Sequence, residues 1–267
     1  MIEADMILYA KQMKDLKREQ ATKLTKVMRQ FFLNLTGRDN QEDPTSFSGE
    51  AMTEEDLEKS RLEDFWNAGV TVYHGVLFTY FGEHAKQADF MIKHGHDYFA
   101  KAHVASPNIM IDTYMKGVSL FAVARQTGKK KYARLGQVCR TKVRNWLEKG
   151  NPNVKHYDSL LDAEFLAFKG RLFQAIKQYE VAILLSAQGG YQHDAALASE
   201  RMAEFHIEVM KDLDVGTYRL HEAVTYWRSW GAMAKVEHLE NKYADLLRRP
   251  PGEIVSLHQA PLVAAPQ

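Results

Sequence analysis

The chain has 267 residues, 45% of them hydrophobic, with a formal net charge of +1. That length allows one or two domains with a sizeable core, and the charge balance gives no general reason to bind polyanions. A single cysteine, Cys139, excludes a disulfide framework and fits a reducing compartment. Acids at Glu3 and Asp5 replace the basic, then apolar, start of a signal peptide. No run of about 18 uncharged apolar residues is present, so no membrane span is expected and a cytoplasmic location is. Only 7 prolines and 16 glycines interrupt the chain, which means long elements, and helices are the long ones.

Residues 3–36 contain neither proline nor glycine, and their apolar positions recur at three and four, so the pattern predicts one amphipathic helix ended by Gly37. Residues 38–52 are polar and rich in turn formers, a loop. Thr53, followed by Glu54, Glu55 and Asp56, is a helix start in which Asp56 takes the place of the capping-box acid. That helix is expected to run to Tyr80 with a break near Gly69. Another starts at Ala85 and Ala88 and reaches about Lys101. After a loop at 102–108, Ile109 to Thr127 is apolar on most sides and should lie centrally. Gly128 ends it, and Lys129 to Lys149 form the next helix.

From Tyr157 the pattern becomes regular: helices from Tyr157 to Phe168, Leu172 to Ala187, His193 to Met210, Val215 to Trp230 and Ala232 to Leu247. Aligning Ala182 with Ala223 shifts the chain by 41 residues and places Ala175, Tyr179 and Ala182 on Gly216, Leu220 and Ala223. Small residues two turns apart let helices approach closely, and the larger residue between them fills the groove. Gly170 stops the helix before it and opens the close-packing stretch, and the Trp230-Gly231-Ala232 step reads as part of the same pattern. This is the logic of a tetratricopeptide array, although its period is usually about 34. The expected fold is therefore all-α: a right-handed superhelix of stacked antiparallel helix pairs, a TPR-like α-solenoid of 9–11 helices. It would occupy residues 1–249, most regularly 155–248, with a tail or linker at 250–267.

No motif demands chemistry. Gly128-Lys129-Lys130 lacks the earlier glycine and the hydroxyl of a phosphate loop, and no kinase signature is present. His94-Gly95-His96 with Asp97 suggests a metal, but zinc wants three or four convergent ligands, so a polar face is favoured. Glu200 and Glu204 lie one turn apart, with His193 before and His206 after. Such carboxylates can hold a metal or move protons, but beside Arg201 they are expected to form a solvated face. Cys139 has basic neighbours that could activate a thiol, and an inert thiol is the favoured reading. Met110, Tyr114, Met115, Phe78, Tyr80 and Phe81 read as core.

The strongest charge feature is basic: Lys129, Lys130, Lys131, Arg134, Arg140, Lys142 and Arg144, with Lys149 and Lys155 beyond. This face could meet nucleic acid, an anionic membrane or an acidic partner. The favoured reading is a solvated face balanced by the acidic stretch from Glu50 to Asp64. Nucleic acid is disfavoured because only Tyr132 and Trp146 interleave the basic residues.

Several stretches carry a resemblance. They are Leu160-Leu161-Asp162-Ala163-Glu164, Gly170-Arg171 with Ala175, Tyr179 and Ala182-Ile183, and Ala196-Leu197-Ala198-Ser199-Glu200 with Ala203-Glu204-Phe205. Tyr226 to Ala232 with Lys235-Val236 and Leu239-Glu240 completes the set. Upstream, Leu33 to Gly37, Phe47 to Met52 and Tyr80-Phe81-Gly82 add to it. Together they resemble the tetratricopeptide-like helical region of multidomain signalling kinases, over about residues 20–248. In that family this region follows an AAA/STAND-type ATPase domain and precedes GAF and PAS sensors and a histidine kinase core, often with a serine/threonine kinase-like domain in front. The resemblance implies a non-enzymatic scaffold that relays signals through protein partners, among them signalling ATPase or kinase domains. The chain looks like that module standing alone, or like a piece of a longer protein. The relatives' catalytic residues have no counterparts here, and no catalytic, metal or cofactor residue is assigned.

Overall fold

The computed structural model describes residues 2–39, 42–95, 97–103 and 106–248. The expected tail at 250–267 and His96 lie outside the described residues. Those that are described form fourteen α-helices and no strand. In chain order they are α1 (Ile2–Asp15), α2 (Glu19–Thr36), α3 (Glu54–Ser60), α4 (Asp64–Tyr80), α5 (His84–His94), α6 (Tyr98–Ala102) and α7 (Asn108–Thr127). They continue with α8 (Lys130–Glu148), α9 (Lys155–Phe168), α10 (Leu172–Gln188), α11 (Gln192–Phe205), α12 (Leu213–Trp230), α13 (Met233–Lys242) and α14 (Ala244–Leu247).

The count exceeds the expected nine to eleven because four predicted helices are divided, the last of them at Tyr243 between α13 and α14. The first breaks at Leu16 to Arg18, where Lys17 takes a left-handed φ of 52°. The second breaks at Arg61 to Glu63, and Gly69 lies inside α4. A Cβ on Gly69 would stand 2.7 Å from Leu24 Cδ2, so this glycine serves the close approach of α2 to α4. The third breaks at Gly95, whose φ is 83°. The start of α3 is as read: Thr53 accepts from the Asp56 amide at 3.1 Å, and Asp56 accepts back from the Thr53 amide at 3.3 Å.

Consecutive helices from α7 to α12 pack side by side, and the short links between α7 and α8, α9 and α10, and α10 and α11 leave those pairs only an antiparallel course. The repeat positions are packing positions. Ala175, Tyr179, Ala182, Gly216, Leu220 and Ala223 are all buried, while Trp230 is half-buried. A Cβ on Gly216 would come within 2.5 Å of Ile207 Cγ1, the close approach that the spacing predicts. Gly170 ends the helix before it as the sequence predicts, whereas Gly231 differs from the close-packing expectation. Both have positive φ (70° and 89°) and no atom near a notional Cβ. They end helices by supplying the left-handed residue, and no second helix approaches them.

In an array of stacked repeats each unit touches only its neighbours. Here helices from near the two ends of the described residues also meet. Helix α2 packs on α13, with a notional Cβ on Gly37 3.5 Å from the Ala234 Cβ. The end of α4 wedges beside them: Tyr80 lies 4.9 Å from Trp227 and Phe81 lies 5.4 Å from His238, ring centre to ring centre. This closure leaves two helices enclosed. In α7 every residue from Asp112 to Ala124 is buried, as its sequence predicts. In α11 every residue from Asp194 to Phe205 is buried, charged ones included.

Substituting Gly216 by valine is expected to lower stability by about 1–3 kcal/mol, because the branched side chain overpacks the α11–α12 contact. Urea unfolding measures it, and an unchanged midpoint would contradict the close approach.

Candidate functional site

The residues with chemical potential fall into three groups, and the largest is inside the molecule. Helix α11 presents Glu200, Arg201 and Glu204, with exposures of 3%, 2% and 5%. The expected solvated face is a buried one. Arg201 donates through Nε to Glu164 Oε1 at 2.8 Å and through Nη1 to Glu204, whose Oε2 it pairs closely. Glu164, fully buried on α9, also receives Arg125 Nη1 at 2.9 Å and the Tyr179 hydroxyl at 2.9 Å. Tyr179, read from the repeat as a groove filler, is thus also a donor. Glu204 Oε1 accepts from Lys242 Nζ and from the Tyr243 hydroxyl, each at 3.0 Å. Glu200 accepts from Lys235 Nζ at 2.8 Å and from Trp227 Nε1 at 3.1 Å.

A polar chain extends this cluster to α5. Arg201 Nη1 is 3.0 Å from His84 Nε2, and a guanidinium can only donate, so Nε2 is the acceptor and Nδ1 carries the proton. Nδ1 then donates to Ser119 Oγ at 3.0 Å. Since Thr79 donates its own hydroxyl proton to the Gly75 carbonyl, Ser119 donates to Thr79 at 3.0 Å. Burial, followed by the Arg201 charge, pushes the His84 imidazole down to about 3. Burial alone would raise the Glu164 and Glu204 carboxyls, but Arg201, with Arg125 at Glu164 and Lys242 at Glu204, holds both below the usual range. Every carboxylate of the cluster has protein donors, which makes it a clamp between helices.

The predicted basic face is divided. Lys129, Lys130, Lys131 and Arg134 are exposed at the start of α8. Arg140, Lys142 and Arg144 are neutralised: Arg140 pairs closely with Asp162, Lys142 reaches Asp97 at 2.5 Å, and Arg144 takes Asp158 at 3.1 Å and Asp162 at 2.6 Å. The neutralising acids are mostly those of α9. The acidic stretch from Glu50 to Asp64 instead faces α2, where Lys26 meets Asp56 at 2.9 Å and Lys23 meets Glu63 at 2.7 Å. Cys139 is buried and its thiol is pushed up to about 12 by burial, so it is inert as expected.

The third group forms where α11 begins. Asp194 is 1% exposed and lies in the first turn, where an acid suits the helix dipole. Its Oδ2 is 3.0 Å from His156 Nε2 and 3.3 Å from His193 Nε2. Aromatic rings surround it: Tyr114 stacks on Tyr157 at 4.0 Å, His156 on Tyr191 at 4.5 Å, and His193 packs on Trp230 at 4.9 Å. Burial raises the Tyr80, Tyr114 and Tyr157 phenols, and the Asp194 charge adds to it. No spacing in the sequence marks this place, since His156 and Asp194 are 38 residues apart. His94 and Asp97 form no such group, and among the described residues no set of three His, Cys, Asp or Glu side chains could hold a metal ion. No helix there is long and apolar enough to cross a membrane.

No family model, no curated protein and no solved structure matches the chain.

Replacing Arg201 by methionine leaves Glu204 and Glu164 short of a buried partner and is expected to cost about 3–5 kcal/mol. Adding Glu164→Gln and Glu204→Gln should restore part of it, and chemical denaturation of the single and triple variants measures both. Acidification should also destabilise the fold. The depressed His84 site takes its proton only near pH 3, whereas the unfolded imidazole takes one near 6.5. Stability is therefore complete above about pH 6.5 and falls below it. The depressed Glu164 and Glu204 sites act with the same sign below about pH 4.5. Calorimetry should show Tm decreasing from pH 7 to 5, less steeply in His84→Gln; equal slopes would contradict the assignment.

Proposed function

We propose that the chain is a non-catalytic helical-repeat scaffold that binds protein partners in signal relay. In this reading α9 to α13 supply the TPR-like superhelical stack, as in the helical region of the signalling kinases the sequence resembles. Its partners are ATPase or kinase domains of that kind, and its place of work is the cytoplasm. The observation that supports it best is the fate of the reactive residues. Glu164, Glu200 and Glu204 each have protein donors, and Cys139 and His84 are buried. The polar groups that an enzyme would turn toward a substrate are used here to hold helices together.

One observation favours a second reading, the binding of an anionic surface by the start of α8. Lys130 and Lys131 stand in the first turn of α8, at the positive end of the helix dipole where cations oppose the field, so the helix itself gives no reason for them, and the exposed Arg134 follows one turn on.

The two readings separate in one set of assays. The purified 267-residue chain is expected to bind an isolated STAND-type ATPase or histidine kinase core saturably and to hydrolyse no ATP. ATP turnover that co-purifies with the chain and disappears in Glu200→Gln or Glu204→Gln would overturn the scaffold. Binding to anionic vesicles or nucleic acid that weakens steeply with salt, and is lost when Lys130, Lys131 and Arg134 become glutamate, would favour the second reading.

A further inference from the structure

One corner of the helix array carries charge that no acid answers. Arg140 pairs with Asp162 and Arg144 with Asp158, an antiparallel register that brings the start of α8 beside the end of α9. Phe168, the last residue of α9, packs there on the cluster that holds Tyr132 and Ala133 of α8. Helix α10 begins directly after the Lys169-Gly170-Arg171 link. Lys129, Lys130, Lys131 and Arg134 therefore share this corner with Lys169 and Arg171. All six are exposed, and none pairs with a carboxylate among the described residues. Residues 113–147 and 165–179 contain no acid. Around Lys211, between α11 and α12, Glu208, Asp212 and Asp214 reverse the sign, so the basic field is confined to the corner. Phe173 stands in the first turn of α10 at the same place. Its neighbours Leu172 and Ile176 pack on the core, whereas Phe173 is 85% exposed and makes no ring contact among the described residues.

From this pairing we propose that the corner docks on an anionic lipid bilayer, its six cations meeting the headgroups while Phe173 enters the interface between headgroups and acyl chains. The proposal rests on the second reading above, that the start of α8 meets an anionic surface, and it names that surface and adds Lys169, Arg171 and Phe173 to it. Attraction to an anionic leaflet falls off within a Debye length, so the cations must be gathered at one exposed place, as they are here. A lone exposed ring is ordinary on a protein surface. A ring among unpaired cations is the composition of a peripheral membrane face, where aromatic side chains settle at headgroup level. A nucleic-acid strand would use several aromatic platforms in succession. Phe173 is alone in that respect, since Tyr132 is buried and Phe165 and Phe168 are half-buried.

The test uses the full chain and sedimentation with vesicles of phosphatidylcholine alone or mixed with phosphatidylserine. A single-stranded oligonucleotide and polyglutamate serve as soluble polyanions. The chain is expected to sediment with the mixed vesicles only, and less as salt rises. Lys169→Glu together with Arg171→Glu is expected to weaken vesicle binding at least about tenfold, and Phe173→Ala about fivefold. Lys149→Glu together with Lys155→Glu, the same change of charge beyond the other end of α8, should alter it by less than about twofold. Every one of these positions is exposed, and circular dichroism checks that the variants fold. No sedimentation with the mixed vesicles would overturn the proposal. Oligonucleotide binding that is lost on Lys130→Glu, Lys131→Glu and Arg134→Glu would then leave the second reading standing, and no binding to either polyanion would remove both. Vesicle binding equal to that of the unaltered chain in Phe173→Ala, or in the Lys169 and Arg171 double variant, would also overturn it.

Discussion

The structure depends on a guanidinium that has no water. Arg201 sits in the middle of α11, 2% exposed, and its charge must be met entirely by protein groups. Glu164 comes from α9, Glu204 from the next turn of α11 and His84 from α5. Each of those in turn requires its own donors, from Arg125, Tyr179, Lys242, Tyr243 and Ser119. Satisfying one buried charge thus specifies the mutual positions of helices as far apart in the chain as α5 and α13. Buried ion pairs add little net stability over apolar packing, but a misplaced one is heavily penalised.

Close approach makes the cluster possible. Ala175, Ala182, Ala223 and Gly216 keep the helix pairs near enough for long side chains to cross from one layer to the next. Lys235 and Lys242 of α13 reach past α12 to Glu200 and Glu204, which are one turn apart on α11. The meeting of α2 and the end of α4 with α12 and α13 then removes the cluster from solvent. Small residues, ion pairs and closure are therefore one device, and each would be unfavourable without the other two.

The surface follows from the same accounting. Arg140, Lys142 and Arg144 are matched by acids within reach, so they hold α8 to its neighbours and present little field outward. Lys129, Lys130, Lys131 and Arg134 have no such role and remain exposed. Asp194 is a buried acid outside the clamp, beside two imidazoles and aromatic rings.

The sequence by itself determined that the chain is helical and which apolar positions pack. Periodicity, the Thr53 cap and the terminating glycines depend on residues a few positions apart, and such local rules are readable in one dimension. The buried course of α7 and the roles of Ala175, Tyr179 and Ala182 were legible for the same reason. The tertiary structure alone decided which charges are inside. Glu200, Arg201 and Glu204 have the spacing of a solvated helix face, and their burial depends on Glu164, Lys235 and Lys242, which are 35 to 38 residues away. Asp194 was hidden likewise, because His156 and the aromatic rings beside it come from separate helices. Hydrophobic period reports how often a helix turns toward the core. It does not report whether a second helix will cover the polar side, and that depends on closure of the whole chain.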